Sequence, residues 1–494
     1  MKYPKYPSLY QVNTRVWLTD LSANLGRKAM LDDIPDEVLD GFKNMGFDWI
    51  WFLSVWTTGQ TGLSISRNNP EWRHDFEKTL PDLKEEDIAG SGFAITDYKV
   101  HPDLGGDEAL KRLRERLSKR GLKLMLDFVP NHMGPDHHWV EEYPEYFVTG
   151  TESNLEHDPQ NYTRVKSSQG DLILAYGRDP YFSGWPDTVQ LDYSNPATVE
   201  AMAKELLRIA EQCDGVRCDM AMLILPDVFE RTWGRKAQSF WPETIKAVRE
   251  KNPGFCCMAE VYWDMEWDLQ QLGFDYTYDK KLYDLLHAEH AGAARAHLHA
   301  DPGYQVKLAR FLENHDEPRA ATNFYPEKHE ASALITYFAT GLRFFHQGQL
   351  QGFRKRISPH LVRGPKEMVN ESLQAFYYKL LDLLKKDIFR NGNWQLLNPV
   401  AAWNGNSTWD NFIAYAWESA DGIRKLLIVN YSAYASQCFL QMPFPGLPGN
   451  LWRLKDELGN FVYDRDGNDL LSRGLYLDIA GWNYHLFDMQ PVKP

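Results

Sequence analysis

Four short apolar runs, each ending at a carboxylate or an imidazole, constrain the fold of this chain more than any other feature. The runs are LMLDFVPNH, GVRCD, CCMAE and FLENHD, at residues 124–132, 215–219, 256–260 and 311–316. A buried run that ends in a carboxylate is typical of a parallel strand that carries a reactive group to one rim of a barrel. The carboxylates that would meet at this rim are Asp127, Asp219, Glu260 and Asp316.

The rest of the first 350 residues alternates apolar runs with amphipathic helical stretches. The stretch 107–120 places leucines on one helical face, stops at Gly121 and leads directly into the LMLDFV run. Asn195 and Pro196 similarly form a cap and first turn for a helix that precedes GVRCD. With GFDYTYD (273–279) as the sixth strand and LRFFHQGQ (342–349) as the last, the pattern predicts an α/β fold, an eight-stranded parallel (β/α)8 TIM barrel.

Two segments depart from this rhythm and predict additional units. After the third strand, residues 132–190 are polar and contain Pro and Gly, which indicates an inserted subdomain beside the active face. From residue 389 onward, apolar runs separated by turn residues predict a C-terminal antiparallel β-sandwich. We therefore predict a barrel from residues 1–131 and 191–388, an insertion at 132–190 and a sandwich at 389–494.

Composition excludes several classes of protein. The net charge of −14 opposes binding to a nucleic-acid backbone. No stretch approaches the roughly 18 apolar residues of a membrane span, and the start has no apolar core typical of a secretory signal, so a cytoplasmic location is expected. None of the five cysteines forms a CxxC pair, which argues against a zinc site. The sequence leaves the oligomeric state open.

The strand-end residues suit cleavage of a glycosidic bond with retention, which needs a nucleophilic carboxylate and a protonated one about 5 Å away. Asp219 follows Arg217 by two residues, so both side chains would point to the same side of a strand and the guanidinium would stabilise the ionised carboxylate. Glu260 follows an apolar run, which is expected to raise its pKa and keep it protonated. Asp316 would bind sugar hydroxyls in the transition state.

The segments DFVPNH, GVRCD, AEVYW and ENHD resemble the four short conserved regions of the α-amylase family of retaining glycoside hydrolases, glycoside hydrolase family 13. GFAITDYKVHPDLGG (92–106) and LRFFHQGQ are similar to that family's second-strand loop and eighth strand. The resemblance covers most of the chain. It implies a (β/α)8 barrel, a retaining mechanism and a substrate of α-linked glucose units.

The resemblance also implies roles for individual residues. Asp219 matches the nucleophile, Glu260 the acid/base and Asp316 the stabiliser of the transition state. The remaining positions match residues that bind or support the sugar on the non-reducing side of the cut: Phe93, Asp127, His132, Arg217 and His315. Phe93 stands where most members carry a Tyr, so it keeps the stacking face and lacks the hydroxyl.

Three positions depart from the family pattern. Gly90 stands where members that trim single glucose units often carry an Asp, which makes an exo-glucosidase the less favoured hypothesis. Met222 and Leu223 replace the Lys-His pair that many α-amylases use for leaving-side subsites and calcium. Asn131 matches one calcium ligand of some members, but calcium wants six to eight oxygens, so we predict no metal and no cofactor.

Three hypotheses for function follow. The first is a hydrolase acting on α-1,4-glucan or malto-oligosaccharides. The second is a transglycosylase or phosphorylase of the same family, in which a sugar hydroxyl or phosphate replaces water. The third is a catalytically inactive binding subunit, which the presence of all three acids, Asp219, Glu260 and Asp316, argues against. The choice between the first two depends on loops such as 177–187 and 262–267.

Overall fold

A closed barrel of eight parallel strands forms the centre of the molecule, for which a computed structural model describes residues 4–168 and 170–492. Each strand pairs with the next along the chain, and the last pairs with the first. The strands are β1 Ser8–Asn13, β2 Trp49–Leu53, β3 Lys123–Phe128, β4 Gly215–Cys218, β5 Cys256–Ala259, β6 Tyr276–Tyr278, β7 Leu308–Arg310 and β8 Leu342–His346. The predicted TIM-barrel fold is confirmed.

The seventh strand lies earlier in the chain than the sequence predicted. The FLENHD run was expected to be this strand, but β7 ends at Arg310 and the run follows it as a loop. Asn314 forms a turn in this loop, where its side-chain oxygen accepts hydrogen bonds from the backbone N–H groups of Asp316 and Glu317, both at 2.9 Å. The Asp316 carboxylate is therefore presented from a turn above the barrel rim.

Helices connect the barrel strands and follow the last one. The helix before β4 starts as predicted, with the Asn195 side chain accepting from the Ala197 N–H and Pro196 in the first turn. No helix within the described residues is long and apolar enough to span a bilayer. The main helices are Thr14–Leu25, Asp36–Asn44, Gly106–Lys119, Pro196–Gln212, Pro226–Trp233, Trp241–Lys251, Lys280–His287, Ala291–Leu298, Pro326–Tyr337 and Glu371–Leu384.

Two long excursions rise from the carboxyl ends of β2 and β3. The first contains helices Gln60–Asn68 and Pro70–Thr79 and a short ladder between Trp56–Thr58 and Ile95–Val100. The second leaves at His132–Met133 and returns at Val189–Gln190, two segments that pair with each other. It contains helices Trp139–Glu142 and Glu152–His157 and a hairpin of Tyr162–Val165 with Leu172–Ala175.

Two antiparallel sheets at the C-terminal end pack against each other and against the barrel. The strand Phe412–Glu418 contributes to both contacts, because its alternate residues face opposite sides of the sheet. Phe412 and Ala414 join the core between the sheets, whereas Tyr415 and Trp417 donate to main-chain carbonyls of the barrel helix Pro326–Tyr337 and the residue after it. The sheets comprise Asn393–Leu396, Phe412–Glu418, Arg424–Asn430, Tyr484–Pro491, Leu451–Asp456 and Val462–Asp466, and Pro399–Val400, Ser436–Leu440 and Leu475–Ile479.

Candidate active site

A cavity of about 320 Å³ opens at the carboxyl ends of the barrel strands. Five of the eight residues predicted from the sequence line it, namely Phe93, His132, Asp219, Glu260 and Asp316. Of the other three, Arg217 contacts Asp219 and Phe93, and His315 lies against Asp316. Asp127 is buried below them and accepts from Ser54 and Trp51. The barrel thus brings together residues that lie more than 200 positions apart in the chain, as expected for strands that end at one rim.

Arg217 connects the two central carboxylates. One guanidinium nitrogen donates to Asp219 Oδ1 at 2.5 Å and another donates to Glu260 Oε2 at 2.6 Å. The guanidinium is almost fully buried and also lies over the Phe93 ring, 5.2 Å from its centroid. A buried arginine that bridges two carboxyl groups in this way holds both in one orientation.

The two oxygens of Glu260 have different partners. Oε2 accepts from Arg217 and, at 2.8 Å, from the backbone N–H of Met220, whereas Oε1 lies 2.9 Å from the hydroxyl of Tyr262. Burial raises the pKa of Glu260 to about 8, against the opposing charge of Arg217. Because Oε2 already accepts two N–H donors, the acidic proton belongs on Oε1, beside Tyr262.

The raised pKa of Glu260 predicts the pH dependence of the reaction. A proton donor must be protonated to act, so kcat/KM on an unactivated oligosaccharide is expected to fall as the pH rises through about 8. A pH–rate profile on a short malto-oligosaccharide measures this limb. The same limb is expected to be absent from Glu260→Gln assayed on a fluoride donor, and its persistence there would assign it to another group.

Tyr262 is expected to tune this acid. In Tyr262→Phe the hydroxyl that donates to Oε1 of the ionised carboxylate is lost, so the pKa of Glu260 rises and the basic limb of kcat/KM moves up by roughly half to one pH unit. Turnover is expected to fall by about tenfold. Tyr181→Phe, at an exposed position, is the control. A lower rate with an unmoved limb would assign Tyr262 a purely packing role.

Gln11, a residue of β1 that carried no signal in the sequence, orients His315. Its side-chain amide donates to His315 Nδ1 at 2.9 Å, which leaves the ring proton on Nε2. Nε2 lies 3.1 Å from Asp316 Oδ2, and burial lowers the pKa of His315 well below its usual value. His315 is therefore a neutral donor directed at the cavity, and Phe93 stacks on its ring at 5.5 Å.

Asp127 lies beneath the cavity. It is fully buried and accepts from the Ser54 N–H at 2.8 Å and the Trp51 indole N–H at 3.1 Å. The Trp51 ring in turn lies 5.5 Å from the Arg217 guanidinium. Asp127 thus fixes the position of the Trp51 ring that packs against Arg217.

Several cavity residues were not predicted as site residues: Trp72, Ser91, Trp185, Asp187, Thr188, Met220, Tyr262, Pro359 and His360. Trp185 and Asp187 belong to the GRDPYFSGWPD segment, whose aromatic and acidic content was the only signal for them. Trp72 and His360 come from distant segments that meet in space, where their rings lie 4.7 Å apart.

Comparison with known sequences and folds assigns the family. Residues 34–409, about three quarters of the chain, match the family model described as "Alpha amylase, catalytic domain". The chain belongs to the α-amylase family.

Individual relatives in the α-amylase family are distant. Alpha-amylase MalA of Haloarcula japonica is 25% identical over 412 residues, which is 81% of this chain and 53% of that protein, so the chain spans about half the length of this relative. The trehalose synthase/amylase TreS of Mycolicibacterium smegmatis is 27% identical over 203 residues, 37% of this chain and 33% of that protein. A noncanonic maltogenic alpha-amylase, AmyB from Thermotoga neapolitana, has the same fold, with a TM-score of 0.69, 19% identity and 99% coverage of both chains.

The α-amylase family includes members that bind calcium, and Asn131 matches a ligand of some of them. Its side-chain oxygen accepts one hydrogen bond here, from Gln190 at 3.0 Å. Among residues 4–168 and 170–492, no group of three or more His, Cys, Asp or Glu side chains is placed to hold a metal ion. A metal-free site stays a prediction.

Gly90 also departs from the α-amylase family pattern for a structural reason. Its φ of +81° favours glycine, and an added Cβ would lie 3.1 Å from the Cα of Leu63. The buried guanidinium of Arg15 donates to the Gly90 carbonyl at 3.0 Å. An aspartate at this position would therefore require the loop before Phe93 to adopt another conformation.

Proposed function

We propose that the protein is a retaining α-glycoside hydrolase that acts on α-1,4-glucan or malto-oligosaccharides through a covalent glycosyl-enzyme intermediate. The observation that carries the proposal is the single guanidinium of Arg217, which orients Asp219 and Glu260 in one cavity with Asp316. The two carboxyl groups differ in their partners, and such a difference separates a nucleophile from an acid.

In the first step a carboxylate oxygen of Asp219 attacks the anomeric carbon and forms an ester bond. The glycosidic C–O bond breaks, and the leaving oxygen takes the proton from Glu260 Oε1. Positive charge develops on the ring as the bond breaks. The carboxylate of Asp316, whose side chain is 41% exposed toward the cavity, stabilises this charge and binds ring hydroxyls.

In the second step Glu260, now ionised, accepts a proton from water while the water oxygen attacks the anomeric carbon. The ester bond to Asp219 breaks, and the carboxylate and the protonated acid are both restored. Two displacements on the same carbon retain its configuration. An α-linked substrate therefore yields an α-configured product first.

Malto-oligosaccharides are the proposed substrates because the family acts on α-glucans and because the cavity offers flat rings beside hydrogen-bonding groups. Phe93 and Trp185 supply apolar faces, and His132 lies 5.2 Å from the Trp185 ring. Burial lowers the pKa of His132 to about 4, so a neutral imidazole faces the sugar. Neutral donors and aromatic faces suit an uncharged polyhydroxyl ligand.

The proposal is tested by following a defined linear malto-oligosaccharide with proton NMR immediately after adding the protein. Shorter oligosaccharides with an initial α-anomeric signal are expected, and Asp219→Asn serves as the inactive control. An initial β-anomer would refute retention. Absence of product from malto-oligosaccharides, sucrose, trehalose and glucan, with or without phosphate, would refute the enzyme hypothesis.

The same experiment separates hydrolysis from transfer. Products longer than the starting oligosaccharide indicate that a sugar hydroxyl takes the place of water, and a sugar 1-phosphate formed only with added phosphate indicates phosphorolysis. Both outcomes use the same Asp219 intermediate. In both cases the assigned residue roles would stand, and a sugar hydroxyl or phosphate would be the acceptor in place of water.

A further inference from the structure

Asp187 is a buried carboxylate in the wall of the active-site cavity, and the steps proposed above do not use it. Asp187 is 3% exposed, and its Oδ2 has no hydrogen-bond partner in residues 4–168 and 170–492. No lysine, arginine or histidine of the described chain contributes to its pKa. Burial raises that pKa to about 7, against the opposing effect of its own backbone N–H.

A buried acceptor without a donor is costly, because the group loses its hydration and receives nothing in exchange. Two other buried aspartates, one in the insertion and one just after it, illustrate the difference. Asp192 accepts from Arg235 and from Ser194, and Asp179 accepts from the backbone N–H groups of Tyr181 and Phe182. Asp187 lacks such partners at Oδ2, yet it lies on the same cavity as Asp219 and Glu260.

The backbone around Asp187 is held in place by main-chain hydrogen bonds of its neighbours. The Trp185 N–H donates to the Gly177 carbonyl at 2.8 Å, and the Thr188 N–H donates to the Trp185 carbonyl at 3.1 Å. On its other side the residue packs close to Gly62, where an added Cβ would lie 3.9 Å from the Asp187 Cβ. Asp187 therefore belongs to a held main-chain segment of the cavity wall, which favours binding without rearrangement of the insertion.

The chemistry around Asp187 favours a sugar as the ligand that completes it. Trp185 offers a ring next to the His132 imidazole, and the Ser91 hydroxyl lines the same cavity. An apolar ring face combined with a carboxylate acceptor matches a sugar unit, which has an apolar face and donates from its hydroxyls.

We propose that Asp187 is a substrate-binding residue that accepts hydrogen bonds from the hydroxyls of a sugar unit bound on the His132 and Trp185 side of the cavity. This inference rests on the proposed function, since it assumes an oligosaccharide substrate. According to this inference, Asp187 contributes to substrate binding and does not stabilise the fold of the insertion. Removing Asp187 is therefore expected to weaken sugar binding without lowering stability.

The test measures binding by titration calorimetry in an Asp219→Asn background, so that maltotriose is not consumed. Adding Asp187→Asn is expected to weaken maltotriose binding by about 10- to 100-fold, and Asp187→Ala at least as much, because a hydrogen bond to a charged group is lost. The Tm of both variants is expected to stay the same or rise, because the unpartnered buried acceptor is removed.

The matched control is Asp179→Ala, which removes an acceptor whose partners are backbone N–H groups of the same insertion. It is expected to lower the Tm and leave maltotriose binding unchanged. Unchanged binding in both Asp187 variants, or a fall in Tm like that of the control, would overturn the inference.

Two further outcomes are informative. If calcium or magnesium chloride raises the Tm of the wild type but not of Asp187→Asn, the carboxylate binds a cation and the sugar hypothesis for it is wrong. If the wild type neither binds nor converts any oligosaccharide, the proposed function fails and this inference fails with it. Wild-type activity together with unaltered binding in the Asp187 variants overturns only the inference.

Discussion

Asp219→Asn is expected to abolish turnover of every donor, by roughly four to six orders of magnitude. An amide does not attack the anomeric carbon, so no covalent intermediate forms, however good the leaving group is. The fold is expected to survive, because the amide oxygen can still accept the hydrogen bond that Arg217 makes at 2.5 Å. Initial rates on a malto-oligosaccharide and on α-glucosyl fluoride, with a thermal melt, measure both parts.

Asp227→Asn is the matched control for this variant, since Asp227 is exposed in the first turn of the helix that follows β4. It is expected to have wild-type rates. Residual activity above about one hundredth of wild type on the fluoride donor in Asp219→Asn would show that another group acts as the nucleophile, given the losses expected on removing one.

Glu260→Gln is expected to lower turnover of malto-oligosaccharides by about 10²- to 10⁴-fold and turnover of α-glucosyl fluoride far less. Fluoride leaves without a proton. Removing the proton donor therefore slows mainly substrates with poor leaving groups, such as oligosaccharides. Glutamine suits the site, because its oxygen can take the place of Oε2 beside Arg217 and Met220 while its nitrogen faces the Tyr262 hydroxyl.

The ratio of the two losses is the decisive quantity for Glu260. An equal loss on both donors would mean that the variant disturbs the position of Asp219 through their shared Arg217 and would argue against the acid role. A large loss on oligosaccharide combined with near-normal fluoride turnover would separate the acid from the nucleophile. Together with the Asp219→Asn result, it would assign the two carboxyl groups to different steps.

The barrel was predictable because its signals are local. Apolar runs of four to six residues and capped amphipathic helices can be recognised without knowing what they contact. β4 and β5 lie within their predicted runs, and β3 begins one residue before its own. The seventh strand was placed wrongly because FLENHD is apolar only at its start. Extended structure ends at Arg310, so β7 occupies Leu308–Arg310 and the run itself forms the loop that contains the Asn314 turn.

The walls of the cavity were harder to predict, because their residues come from segments that give no periodic signal. His360 reaches the cavity from a loop that bridges to the segment before Phe93, through a hydrogen bond of 2.9 Å from the Ala89 N–H to the His360 carbonyl. Gln11 lies 304 residues from the histidine that it orients. Such pairs are made by folding and leave no pattern along the chain.

By itself, the sequence determined the barrel and the identity of the carboxyl groups at its rim, since strand propensity, burial and the alternation of side chains operate over a few residues. Only the tertiary structure decided that one guanidinium joins Asp219 to Glu260, that Tyr262 faces Oε1 of Glu260, and that Asp187 is buried in the wall of the same cavity, its Oδ2 without a partner in the described part of the chain. Electrostatics and hydrogen bonding depend on distance in space, and those distances exist only after the chain has closed its barrel.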